Sequence, residues 1–109
     1  MKTTIKECER KIISALISES DCPDIELPGE NKEVEIEYSG VGYFLTYTNT
    51  DFPKERYVLN KPNLSGSFGE INVGFVAFVM ESEFTLECYS YGEEFTQEDR
   101  DCKYQADST

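Results

Sequence analysis

The stretch Glu33-Val34-Glu35-Ile36-Glu37-Tyr38-Ser39-Gly40-Val41-Gly42-Tyr43-Phe44-Leu45-Thr46-Tyr47-Thr48 sets the class of the fold. Val34, Ile36 and Tyr38 alternate with Glu33, Glu35 and Glu37. That is the two-residue period of a strand with one face buried and one face wet. Ser39-Gly40-Val41-Gly42 carries turn chemistry. The aromatic and β-branched run that follows reads as the returning strand. Strands are thus predicted over 33–38 and 42–48, with a fully acidic outer face on the first.

Downstream, Asn49 to Lys54 reads as a polar loop with Pro53, and 55–60 as a short strand containing Tyr57 and Leu59. Lys61-Pro62-Asn63 reads as a turn, and Ser65 to Gly69 as an irregular edge segment. Ile71 to Met80 is the most apolar stretch, and apolar residues on both of its faces predict a central strand covered on both sides, or one crossing a closed layer. Glu81-Ser82 is a tight connection to a last strand over 83–91. In that strand Phe84, Leu86 and Cys88 take one face, while Thr85, Glu87, Tyr89 and Tyr91 take the other. Residues 92–109 read as an acidic C-terminal tail with a loop or one helical turn around Gln97 to Arg100, mobile beyond it.

Upstream, Ile5, Cys8, Ile12, Ile13, Leu16 and Ile17 recur at helical spacing, with Lys6, Glu9, Arg10 and Lys11 largely off the stripe. Thr4 and Glu7 fit a capping box, so a helix is predicted over about 4–19. Breakers at Asp21 to Asp24 and Pro28 to Asn31 mark a linker. Short connections favour antiparallel neighbours. The fold expected is α+β: one domain over 1–109, with an N-terminal helix packed on a mostly antiparallel sheet of about five or six strands. A small barrel-like or two-layer β fold is the alternative.

The 109 residues carry 22 acids against 10 bases, a net charge of −12. A field of that sign repels nucleic acid and anionic membranes and attracts basic proteins. It also serves plain solubility. No stretch approaches the ~20 apolar residues of a membrane helix, and the N-terminus lacks the apolar centre of an export signal. The expected location is cytoplasmic, with Cys8, Cys22, Cys88 and Cys102 as free thiols. The even count would suit disulfides in an exported chain.

Residue chemistry argues against an enzyme. The chain has no histidine, which removes Ser–His and Cys–His nucleophilic pairs and the commonest metal ligand. The cysteines form no close pair of the zinc-site kind. Ser65-Gly66-Ser67-Phe68-Gly69 lacks the lysine and following helix of a phosphate loop. Acids are abundant enough that a glycosidase-like pair is open by residue type, yet nothing singles one out. No catalytic residue, cofactor or metal is expected.

Two constellations stand out. One is the ladder Glu33, Glu35, Glu37, where three like charges repel along one strand face unless a cation relieves them; a solvated face is the simpler alternative. The other runs from Glu81 to Asp101, eight acids against Arg100 alone, with Tyr89, Tyr91 and Phe95 among them. Aromatic anchors within a charged rim describe a protein-binding hot spot. The partner-binding residues expected are Glu33, Glu35, Glu37, Glu87, Tyr89, Tyr91, Glu93 and Glu94.

Residues 65–101 also carry Ser65-Gly66 with Gly69, Gly74-Phe75-Val76, Leu86-Glu87-Cys88, Tyr91-Gly92-Glu93 and Arg100. This order resembles small bacterial immunity proteins of polymorphic or contact-dependent growth inhibition toxin systems, over about a third of the chain. Its motifs are structural more than chemical. The resemblance implies a protein that binds and neutralises a cognate toxin domain, in many such systems a basic nuclease, by occluding its active site. It transfers no catalytic residues. The partner expected is a basic toxin protein, not nucleic acid or membrane, with the chain a monomer or weak homodimer. An acidic adaptor module of a larger complex is the competing expectation.

Overall fold

The structure, a computed structural model, describes residues 1–20, 25–29, 31–68, 71–91 and 103–107. The alternating acidic stretch forms β2 (Glu33–Tyr38), with Val34 and Ile36 buried and Glu33, Glu35 and Glu37 exposed. Its hairpin partner is β3 (Gly42–Thr48). Both have the predicted bounds. Gly40 turns the hairpin with φ +89°, a conformation that glycine adopts without penalty. In front of β2 lies β1 (Lys2–Thr4), and ahead of the linker α1 (Glu7–Ser18).

Three longer strands follow: β4 (Tyr57–Phe68), β5 (Ile71–Met80) and β6 (Glu83–Ser90), then β7 (Lys103–Asp107). They form one seven-stranded sheet in the order β1-β2-β3-β6-β5-β4-β7, antiparallel at every junction. The helix rests on one face of it, chiefly against β4 and β5. The molecule measures 37 × 35 × 22 Å. The α+β expectation holds, with seven strands instead of five or six.

The core lies between helix and sheet. Ile12, Ile13 and Leu16 meet Tyr43, Leu45, Leu59, Leu64, Val73, Val79, Phe84 and Leu86, all essentially without solvent exposure. Tyr47 stacks on Phe84 and meets the edge of Phe52, so the loop after β3 closes one end of this layer.

Several expectations need correction. The helix starts at Glu7, not Thr4, because Thr4 is drawn into β1 by pairing with Glu33. The capping acid is Glu9, whose Oε1 accepts from the Lys6 backbone N–H at 2.8 Å. Glu9 is fully buried rather than off the apolar stripe. Lys61-Pro62-Asn63 is no turn: it is the irregular step between Leu59 and Leu64 inside β4, where a proline is tolerated because ladder bonding is interrupted. Ser65 to Phe68 continue that strand. Part of the expected tail is β7, held by pairing with Asn63 to Ser67; the turn expected at Gln97 to Arg100 lies outside the described residues. Cys8 is disulfide-bonded, not a free thiol, whereas Cys88 is free and buried.

Candidate functional site

Antiparallel register fixes which side chains share a face. Because Val34 and Ile36 point to the core, Glu33, Glu35 and Glu37 point to the face opposite the helix. Across the sheet that face reads in rows. Glu37 lies opposite Phe44, then Glu87, then Val76. Glu35 lies opposite Thr46, then Thr85, Phe78 and Val58. Thr48 lies opposite Glu83 and then Met80. Gly42 lies opposite Tyr89, then Gly74 and Ser65. The two constellations, some fifty residues apart in sequence, are therefore one surface.

That surface has an aromatic and aliphatic centre inside an acidic border. Phe44, Val76 and Phe78 are half-buried by their neighbours, while Val58, Met80 and Tyr91 are 47 %, 49 % and 57 % exposed. Among the described residues no element packs over it. Tyr89 and Tyr91 meet edge to face at 5.8 Å between ring centroids. Their rings stand over Gly74, where an added Cβ would come within 2.8 Å of both. Glycine in β5 thus seats the two tyrosines against the backbone. Burial first, then Tyr91 and the Glu87 carboxylate, raises the Tyr89 phenol above its ordinary value.

The border is unevenly compensated. Glu35 meets the Met1 ammonium at 3.3 Å and Lys2 Nζ at 3.7 Å. These exposed contacts contribute about 0–1 kcal/mol each. Glu33, Glu37, Glu83 and Glu87 make no ion pair among the described residues. The like charges of Glu33 and Glu37 therefore stand without a countercharge among the described residues.

No known protein family, curated protein or solved structure matches this chain. The chemistry of the face itself carries the functional reading.

Of the residues expected to bind a partner, Glu33, Glu35, Glu37, Glu87 and Tyr89 share the open face, and Tyr91 joins them through Tyr89. Glu93 and Glu94 lie outside the described residues. Phe44, Val76, Phe78, Val58 and Met80 are absent from the expected set, and Glu83 enters the sequence reading only as one acid of the second constellation. The expectation of a strand covered on both faces needs correction, since Val76 and Phe78 are only half-buried. The signal lay in parity: Val73, Phe75, Ala77 and Val79 are the core set, which sends the intervening residues outward.

Away from that face, Cys88 and Glu9 are buried. Burial pushes the Cys88 thiol up to about 12, a hydrogen bond with Tyr43 offsetting this only in part. A thiol so disposed is no nucleophile near neutrality. Glu9, the sole buried acid among the described residues, accepts from Tyr43 Oη at 2.5 Å as well as from the Lys6 N–H. Its oxygens bind the helix start to β3. No cluster of metal-ligating side chains occurs among the described residues, and no helix among them is long and apolar enough to cross a membrane.

Proposed function

We propose that this chain is an immunity-type protein that docks a basic toxin domain on the open face of its sheet and so covers the toxin's active site. The observation that supports this reading is the register. It gathers Glu33, Glu35, Glu37 and Glu87 around Phe44, Val76, Phe78 and Tyr89 on the side the helix leaves uncovered. An apolar, aromatic centre supplies the residence time of a complex and a charged border its capture rate. The resemblance over residues 65–101 supplies the class of partner. A nuclease surface that binds phosphates is itself cationic, so occlusion and charge complementarity coincide.

An inhibitor of a nuclease delivered into a cell acts in the cytoplasm, where Cys8 would be held reduced. The Cys8 disulfide runs against that compartment, and thiol counting in quenched cells decides between them: a reduced Cys8 supports the cytoplasmic reading, an oxidised one an oxidising location. The deciding experiment is co-expression with the product of the adjacent gene. Stoichiometric capture and rescue of the host from that product's toxicity support the immunity reading. Capture without toxicity would favour an adaptor, and absence of any complex would remove both.

A further inference from the structure

Where the open face meets the β5–β6 turn, Phe78, Met80 and Thr85 line a shallow hollow of about 210 Å³, with Glu81 and Glu83 beside them. This is smaller than the roughly 300–1,000 Å³ of small-molecule sites and suits one protruding side chain. The floor is apolar, with Met80 half exposed. Neither carboxylate has an ion-pair partner among the described residues. The turn that carries Glu81 is pinned. Glu81 and Ser82 hold left-handed backbone, φ 54° and 65°. Their N–H groups donate to the carbonyls of Lys54 and Pro53 at 3.0 Å, and Ser82 Oγ donates to the Phe52 carbonyl at 3.2 Å. The backbone from which the exposed Glu81 side chain projects is therefore held at a fixed place beside the hollow.

Resting on the reading of this face as a docking surface for a basic protein, we propose that the hollow receives one arginine side chain of that partner. Its methylene stem covers Phe78 and Met80, and its guanidinium meets the Phe78 ring and the two carboxylates. Arginine fits better than lysine for physical reasons. The guanidinium is planar, weakly hydrated and able to stack on a ring while donating sideways to carboxylates. A lysine ammonium would have to shed a tightly held water shell to lie on an apolar floor.

The test uses the full chain, ¹⁵N-labelled, titrated at low ionic strength with Nα-acetyl-arginine methylamide. Parallel titrations use the lysine and citrulline analogues. The expected result is saturable amide shifts at Phe78, Met80, Glu81, Glu83 and Thr85. Arginine should bind at least threefold tighter than lysine, citrulline should give no response, and the shifts should vanish in Glu81→Gln/Glu83→Gln. Should that double variant lose its native spectrum, Glu83→Gln alone serves, with at least a threefold weakening expected. Equal affinity for lysine, a response to citrulline, or shifts centred on Glu33 to Glu37 with the hollow silent would overturn the assignment. A captured basic partner with a silent hollow removes the arginine pocket and leaves the docking reading. Arginine in the hollow with no basic partner captured does the reverse.

Discussion

A methyl group added at Gly42 and one added at Gly74 meet different obstacles. At Gly42 the Cβ would stand 1.8 Å from the Cys88 carbonyl oxygen, and two paired backbones cannot part without losing ladder bonds. Gly42→Ala should destabilise the protein by about 3 kcal/mol, at the upper end for overpacking, in urea unfolding. At Gly74 the obstacles are the free ends of the Tyr89 and Tyr91 rings, which swing aside. Gly74→Ala should change stability by less than about 1 kcal/mol, because the lost flexibility of the unfolded chain offsets the displacement. Its near-ultraviolet tyrosine signal should change, and partner dissociation should quicken, with no charge altered. Cys88 gives a third expectation. Its thiol titrates near 9.0 when unperturbed but near 12 in the fold, so the folded state holds its proton longer. Stability is thus intact below pH 9 and falls as pH rises toward 12, by up to about 1.4 kcal/mol per unit. Tyr47, raised from 10.0 by burial with Arg10 opposing, adds to the slope above pH 10. Unfolding measured from pH 8 to 10 should show the fall in the native chain and a flatter profile in Cys88→Ala.

At the scale of elements, Glu9 does two jobs that no helical wheel displays. It caps α1 through the Lys6 N–H and accepts from Tyr43 Oη across the layer. Glu9→Ala removes a cap worth about 1 kcal/mol and orphans a buried hydroxyl at about 1–3 kcal/mol. A loss of roughly 2–4 kcal/mol is therefore expected. A double-mutant cycle with Tyr43→Phe should give coupling of about 1 kcal/mol or more; additive losses would show that the two residues act separately. Contacts distant in sequence also account for the elements that local pattern hid. β2, β3 and β5 were legible to the residue because alternation or sheer apolarity is a local property. β1 and β7 were not: three and five residues of mixed polarity become strands only because Glu33 to Glu35 and Asn63 to Ser67 offer them backbone partners. β4 was read as a strand, a turn and an edge segment because Pro62 marks a local break, and only the continuing ladder with β5 shows that the strand resumes. The Cys8 disulfide was equally unreadable, since spacing along a chain says nothing of proximity in space. Its reduction should lower stability by about 2–4 kcal/mol, read by comparing unfolding with and without dithiothreitol.

On the scale of the whole molecule, the candidate site was half legible. The acids and tyrosines announced themselves by composition, but their meeting on one face depends on β3 pairing with β6, a contact between residues some forty positions apart. The net charge of −12 is a property of the entire surface, whereas docking depends on where it is concentrated. The two are separable by kinetics. If the border of the open face steers capture, reversing Glu33, Glu37 and Glu87 to lysine should slow association with the captured basic partner at least tenfold at low salt and flatten its dependence on ionic strength. Dissociation should change far less, because rim charges act mainly during approach. Glu35 is left in place because Met1 and Lys2 already neutralise it. The control reverses Glu7, Glu19 and Glu26, exposed acids on the helix, its end and the linker. It brings the same change of +6 in net charge, distributed away from the open face. At about 0.1 M salt, charges beyond roughly 10 Å are screened, so a difference between the two triple variants there measures placement rather than total charge. Equal slowing by both would mean that capture depends on net charge alone, and that the open face is not where the partner lands.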